Sequence, residues 1–116
     1  MENQERNEDG KIKVLITFKT VTKPFLADPT NNLKVTIDNI KKIARDNQGR
    51  YWDLPEMNNG GQRIVYRLGR NVNGKNEIFQ PTKNKGEEQC LADYNVKAGD
   101  SLILVQKVIA GSFVSF

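Results

Sequence analysis

The chain has 116 residues, of which 28% are charged and 37% hydrophobic, and its formal net charge is +4. These proportions indicate one soluble globular domain, and the lysines and arginines are too scattered to favour nucleic-acid binding. The sequence has one cysteine, Cys90, and no histidine. It therefore excludes an intramolecular disulfide, a cysteine-based zinc site and a Ser-His or Cys-His catalytic pair.

The N-terminal segment, residues 1–10, is polar and charged without periodicity, which predicts disorder. It is acidic, whereas a signal peptide begins with a basic and then an apolar stretch. No apolar run approaches the roughly 20 residues that span a bilayer. We therefore expect a cytoplasmic monomer that binds neither membrane nor nucleic acid.

The first predicted elements are two strands. Every second residue from Ile12 to Phe18 is apolar, which predicts a strand with one face in the core. Residues 20–24 predict a turn, because Pro24 fixes its own φ angle. The returning strand would lie within 25–35, interrupted by several turn-forming residues, so we expect it to be short, bulged or at an edge.

A helix is predicted over residues 36–49. Thr36 is a suitable N-cap, and Gly49 is a natural stop. Ile37, Ile40 and Ala44 lie on one helical face, so this helix has a single apolar stripe. Such a stripe must pack on another element, and the predicted strands are the candidates.

The segment 50–61 is a predicted loop with one proline and two glycines at its end. It contains an adjacent Tyr51-Trp52 pair, which is unusual for an otherwise polar loop. The pair either covers the end of the helix, which we favour, or anchors a specific partner.

Three more strands follow the loop. Residues 62–69 alternate as a half-buried strand, and Asn73-Gly74 is a strong turn signal. A short strand is predicted within 78–82, and a last strand begins near Leu102. The order of strand, strand, helix, strand, short strand, strand suits an α+β domain with one helix across a mixed sheet. We expect the first and last strands to lie side by side in the middle.

Four segments resemble ubiquitin and its relatives. GQRIVYRLG (61–69) is similar to the family's central strand, where Gln-Arg precedes an apolar triplet and a glycine turn. CLADYNVKAGDSLILV (90–105) is similar to the segment that leads into the last strand. FKTVTK (18–23) and TIDNIK (36–41) resemble the first turn and the start of the helix. The residues that fit the most specific motif are Leu91, Asp93, Tyr94, Asn95 and Val96.

The resemblance covers residues 12–111 and implies a β-grasp, ubiquitin-like fold over 11–109, with one helix packed across one face of a mixed sheet. We interpret the LADYN motif as scaffold. A buried Tyr94 whose hydroxyl bonds the backbone would hold the loop that precedes the last strand.

The C-terminal residues resemble the tail of a bacterial ubiquitin-like modifier. Counted from Leu102 without a gap, Gly111 lies at the family's terminal glycine and Ala110 at the glycine before it. The resemblance implies a flexible tail over 110–116 and a precursor that a peptidase cleaves between Gly111 and Ser112. The remaining predicted tail residues are Lys107, Val108 and Ile109, the last standing where the family often has arginine.

As a modifier, the chain would be a passenger in the reaction. Its partners would be a processing peptidase, an E1-like activating enzyme, an E2-like conjugating enzyme and target proteins. The E1-like enzyme would adenylate the Gly111 carboxylate, which a narrow channel admits because glycine has no side chain. The sequence has no convergent set of acid, base, nucleophile or metal ligands, so we expect no enzymatic activity, no cofactor and no metal.

Two alternatives remain open. The chain could be a non-conjugated interaction domain, similar to the ubiquitin-like accessory proteins of bacterial secretion systems. It could also be a sulfur carrier, although such proteins normally end at the glycine itself.

A partner-binding patch is predicted from the strand alternation. If the buried faces of the central strands meet the helix, then Val65, Ile103 and Val105 face outward. Val21, in the first turn, would lie beside them. The resemblance implies that this patch binds partner proteins, since contiguous exposed apolar surface usually marks a binding site.

Overall fold

The computed structural model describes residues 10–48, 50–82 and 86–109. One helix, α1, lies across one face of a five-stranded mixed sheet, and a short 3₁₀ helix precedes the last strand. The predicted α+β architecture is thereby confirmed, while residues 1–9 of the predicted N-terminal segment 1–10 and the whole predicted tail 110–116 lie outside the described residues. The elements are β1 Ile12–Phe18, β2 Val21–Ala27, α1 Leu33–Asp46, β3 Arg63–Val72, β4 Lys75–Ile78, the 3₁₀ helix Leu91–Tyr94 and β5 Ser101–Ile109.

The sheet has the strand order β2-β1-β5-β3-β4. The first and last strands pair in parallel at its centre, in a register that joins Leu15 to Ser101 and Phe18 to Leu104. This confirms the predicted central pair. All the other pairings are antiparallel, and that of β3 with β5 joins Arg63 to Ile109 at one end.

The hydrophobic core lies between α1 and the inner face of the sheet. Alternate residues of β1, β3 and β5 point into it, because successive side chains in a strand project to opposite faces. Each large aliphatic side chain that is fully buried contributes about 1.5–3 kcal/mol relative to full exposure. The most completely buried large side chains are Val14, Ile16, Leu33, Ile40, Leu68, Phe79, Leu91 and Leu102.

The first hairpin differs from the prediction. Its turn is formed by Lys19 and Thr20, with Lys19 in the left-handed region at a φ of 59°, and β2 already begins at Val21. Pro24 therefore lies inside an edge strand and not in a turn. The backbone N–H and C=O groups of even-numbered β2 residues point away from β1. Proline has no N–H, so its presence at position 24 leaves no donor facing solvent there.

The helix begins three residues before the predicted position. Its N-cap is Asn32, whose side-chain Oδ1 accepts a hydrogen bond from the Val35 N–H at 2.9 Å. Thr36 is not the N-cap, because it is buried in the second turn and its hydroxyl donates to the Asn32 carbonyl at 3.3 Å. Leu33 and Val35, which we expected in a strand, form the first turn.

Candidate functional site

The outer face of the sheet, opposite α1, brings together three of the four predicted patch residues. Val65, Ile103 and Val105 are all half-buried and project from adjacent strands β3 and β5. The register sets Val105 beside Arg67 and Ile103 beside Gly69. An aliphatic surface is thus present at the predicted place, and its role in binding stays a prediction.

The structure does not bring Val21 to this surface. Val21 begins β2 directly opposite Phe18, and residues directly opposite in an antiparallel pair share a face. Phe18 is in the core, so Val21 lies on the α1 side of the sheet. The sequence misplaced Val21 because it located the turn at Pro24.

A groove of about 730 Å³ covers part of the outer face. Its floor is aliphatic and its walls carry four cationic side chains, while no acidic side chain lines it among the described residues. Such a surface favours a partner that carries both apolar and acidic groups. We call it the outer-face groove, and it is lined by Lys34, Arg63, Val65, Arg67, Ile78, Gln80, Val105, Lys107 and Ile109.

Three predicted tail residues belong to the sheet. Lys107, Val108 and Ile109 are the last residues of β5 and pair with the beginning of β3. Lys107 and Ile109 line the outer-face groove. Ala110, Gly111 and Ser112, which carry the processing and conjugation hypothesis, lie outside the described residues.

The outer edge of β3 has a gap in its backbone pairing. The Ile64 N–H donates to the Glu56 carbonyl at 2.9 Å, and the Phe79 N–H donates to the Leu68 carbonyl at 2.7 Å. Backbone groups of alternate residues in a strand point to the same side, so Tyr66, midway between these two bonds, also faces outward.

A notch of about 250 Å³ lies at this gap, between β3 and α1. Inside it, the Arg67 side chain turns back and its Nη1 donates to the Tyr66 carbonyl at 3.0 Å. No acceptor bonds the Tyr66 N–H within the part of the chain that the structure describes. The sequence did not predict this notch, which arises because β3 has ten residues and β4 beside it has only four.

The Tyr66 side chain points away from the notch edge into the core. Its ring is 2% exposed, and its hydroxyl donates to the Pro55 carbonyl at 2.7 Å. Burial, with smaller contributions from the carboxylates of Asp53 and Glu56, raises the pKa of Tyr66 to about 12. The hydroxyl therefore stays protonated at physiological pH and keeps its bond to the loop.

The loop 50–61 is anchored by Trp52, which is 3% exposed. The indole Nε1–H donates to the Val21 carbonyl at 3.0 Å, and the ring of Tyr51 meets the indole edge-on at a centroid distance of 5.5 Å. Trp52 also lines a small cleft beside Ala44, near the end of α1. Trp52 thus lies beside the helix end, as we favoured for the pair, and it is too buried to act as a partner anchor in this conformation.

The LADYN segment acts as scaffold. The half-buried Tyr94 stacks on Phe79 at a centroid distance of 4.4 Å, and its hydroxyl accepts from the Gln80 N–H at 2.9 Å. The Asp93 carboxylate accepts from the Cys90 N–H at 2.9 Å, and Asn95 adopts a φ of 58°. The predicted backbone partner for the Tyr94 hydroxyl is therefore confirmed.

Within residues 10–48, 50–82 and 86–109, no three histidine, cysteine, aspartate or glutamate side chains converge to form a metal site. In the same ranges, no helix is both long enough and apolar enough to cross a membrane.

Solved structures similar to this chain include two from mycobacterial or ESX-5 proteins, while the sequence matches no protein-family model and no curated protein. The ubiquitin-like domain of EccD5 from Mycobacterium xenopi is similar at a TM-score of 0.58 and 21% identity, over 85% of this chain and 94% of that chain. A chain of the MycP5-free ESX-5 inner membrane complex, State II, is similar at a TM-score of 0.60 and 18% identity. That match covers 91% of this chain and 23% of the other chain. The described chain therefore has the ubiquitin-like β-grasp fold.

Proposed function

We propose that this chain is a non-conjugated ubiquitin-like interaction domain that binds protein partners in a bacterial secretion complex of the ESX type. The observation that carries the proposal is the likeness to the EccD5 ubiquitin-like domain, which is matched over 94% of its length. The second neighbour, from an ESX-5 inner membrane complex, points to the same kind of assembly. The domain binds and positions partners, and it has no catalytic role of its own.

The outer-face groove is the contact surface in this proposal. Its floor is formed by aliphatic side chains of β3 and β5, including Val65 and Val105. Burying these side chains against a partner supplies about 25 cal/mol for each Å² removed from water. The cations around the floor, such as Arg67 and Lys107, select a partner surface of negative charge.

The modifier hypothesis is the second candidate. It is favoured by one sequence observation, the position of Ala110-Gly111 after the last strand. One structural neighbour is the ubiquitin-like domain of EccD5 and the other is a chain of an ESX-5 inner membrane complex, so we prefer the interaction domain. The two functions differ in one chemical respect, since a modifier forms a covalent bond through Gly111 and an interaction domain does not.

We place the domain in the cytoplasm, at the surface of an inner-membrane complex. This location follows from the proposed partners and leaves the outer face of the sheet available for docking.

The proposal is tested by purifying the tagged full chain from its native host after mild detergent extraction. We expect it to copurify with an inner-membrane secretion complex and to show no isopeptide-linked adducts by intact mass. Recovery of chains cut after Gly111 and joined covalently to other proteins would contradict the proposal and support the modifier.

Matched variants locate the contact surface. Val65→Asp places a charge on the floor of the outer-face groove and should reduce recovery of the complex at least about tenfold, as loss of a central interface contact does. Leu26→Asp makes the same chemical change at an exposed position of β2, on the outer face but away from the groove. It should leave recovery unchanged.

A further inference from the structure

We propose that the notch in the outer edge of β3 receives a short extended segment of a partner protein, with an acidic-aliphatic-acidic sequence, which pairs with the backbone of Tyr66. This inference rests on the proposed role as an interaction domain and specifies the partner's chemistry. It concerns the strand edge, whereas the predicted patch concerns the outer face.

The first argument is the state of the Tyr66 backbone. Both its N–H and its C=O point into the notch, between the bond from Ile64 to Glu56 and the bond from Phe79 to Leu68. An extended chain that lies antiparallel to β3 can exchange both hydrogen bonds with Tyr66 through a single residue. The four residue-to-residue steps from Ile64 to Leu68 span about 13 Å at roughly 3.3 Å each, which leaves room for about three partner residues.

The second argument is the behaviour of Arg67. Its guanidinium donates to the Tyr66 carbonyl at 3.0 Å, which satisfies an acceptor that no neighbouring strand reaches. A partner N–H can replace the guanidinium at this oxygen. The released guanidinium then lies on the outer side of the sheet, where a carboxylate of the partner can form a charge-assisted hydrogen bond with it.

The third argument is charge. The notch and the outer-face groove share Lys34, Arg63 and Arg67 in their linings, and Lys107 adds a fourth cation to the groove. Among the described residues, neither Lys34 nor Lys107 forms an ion pair. The two acidic residues that line the notch, Asp38 and Glu56, share the ammonium group of Lys41 at 4.0 and 3.5 Å.

The alternation of side chains in a strand sets the order of the partner residues. The residue opposite Tyr66 points to the α1 side, where the notch is lined by Ile37, Ile64 and Pro81. It should therefore be aliphatic. Its two neighbours point to the outer side, towards Arg67 and Lys107, and should therefore be acidic.

The test uses the acetylated and amidated peptide Gly-Ser-Glu-Val-Glu-Ser-Gly, titrated into the ¹⁵N-labelled full chain. We expect the Tyr66 amide resonance to shift with the bound fraction. Methylating the valine nitrogen removes the donor to the Tyr66 carbonyl and should weaken binding about tenfold or more. Methylating the nitrogen of the second glutamate should change the affinity less than about twofold, because that N–H points away from β3.

Charge is tested on both molecules. A peptide with lysines in place of the glutamates should not bind. Lys34→Gln and Lys107→Gln should each weaken binding about two- to fivefold, an effect that decreases as salt is added. Lys97→Gln removes the same charge from an exposed loop before β5 and should have no effect.

Equal affinity of the peptide with a methylated valine nitrogen, an unshifted Tyr66 amide, or absence of binding at millimolar concentration would overturn the inference. A peptide that shifts only outer-face resonances would overturn it and leave the proposed function intact. Covalent adducts through Gly111 would remove the proposed function irrespective of the peptide result.

Discussion

The two outer edges of the sheet differ in how their backbone donors and acceptors are covered. On the β2 edge, Pro24 occupies a position whose backbone groups face solvent, and proline has no backbone N–H to donate to another strand. On the β3 edge, separate segments at Glu56 and Phe79 cover the two ends and leave Tyr66 between them. One edge is thus blunted by its own sequence, while the other is covered at its two ends and leaves the Tyr66 N–H between them without an acceptor among the described residues.

The comparison shows that a strand edge can be protected at its two ends and left open between them. Protection by proline is permanent, because the missing N–H cannot be restored. Protection by a side chain is reversible, because the Arg67 guanidinium can leave the Tyr66 carbonyl when another donor arrives. At the β3 edge, a partner strand can therefore compete with a side chain for the Tyr66 carbonyl.

The largest effect on the free energy of unfolding is expected when a substitution separates β4 from β3. In Gly69→Ala, the new Cβ would lie 2.4 Å from the Glu77 carbonyl oxygen, so the strands must separate. The free energy of unfolding should fall by about 1–3 kcal/mol, as for other overpacked sites. Urea denaturation followed by circular dichroism measures the change, and the amides of Lys75–Ile78 should exchange faster with solvent.

Gly60→Ala is the matched control for this experiment. The nearest atom to its new Cβ is the Asn58 side-chain Oδ1 at 3.5 Å, an ordinary contact. Its effect should stay below about 0.5 kcal/mol, the usual range for surface changes. Equal losses in the two variants would show that β4 does not depend on the close approach at Gly69.

A smaller effect is expected when the side chain beneath the notch loses its hydroxyl. Tyr66→Phe removes the hydrogen bond to the Pro55 carbonyl and should cost about 1 kcal/mol at pH 7. The folded-state pKa of about 12 lies above the ordinary value of 10.0. Stability from this group is therefore complete below pH 10 and is lost as the pH rises towards 12.

The pH profile separates this contribution from simple packing. The free energy of unfolding of the wild-type chain should fall between pH 10 and 12, and the fall should be shallower in Tyr66→Phe. Urea denaturation at pH 9, 10 and 11 gives the two slopes. Identical slopes would mean that Tyr66 does not carry the alkaline loss.

The smallest effect on stability, below about 0.5 kcal/mol, is expected at the β2 edge. Pro24→Val supplies a solvent-facing N–H on an exposed apolar edge strand, so the change should appear as self-association in analytical ultracentrifugation. Pro24→Lys supplies the same N–H together with a charge that opposes edge-to-edge pairing, and it should stay monomeric. If both variants stay monomeric, Pro24 is not what keeps this edge unpaired.

The sequence predicted the parts of the fold that depend on periodicity. The alternation from Ile12 to Phe18 and the turn at Asn73-Gly74 correspond to observed structure. The start of the helix was wrong because both Asn32 and Thr36 are residue types that cap helices. The apolar stripe indicates the earlier start of the helix, because Leu33 precedes Ile37 by four residues and extends the stripe by one turn.

The sequence predicted the candidate site only in part. Val65, Ile103 and Val105 followed from alternation within single strands, which local pattern reveals. The notch depends on where the segments that contain Glu56 and Phe79 stop pairing with β3. These segments are distant from Tyr66 in sequence, so no local pattern predicts where their pairing ends. Val21 was misplaced because the first turn was predicted over 20–24. The turn is at Lys19 and Thr20, so Val21 belongs to β2 and its side chain lies on the α1 side of the sheet.

Trp52 is the only tryptophan in the sequence and has 3% of its surface exposed. It also belongs to the loop that supplies Glu56 to the β3 edge. Its intrinsic fluorescence is therefore an optical reporter for the seating of this loop, and the emission should shift to longer wavelength whenever the loop leaves the helix. A titration of any partner can then be followed without labels, and the signal distinguishes binding that leaves the loop in place from binding that displaces it.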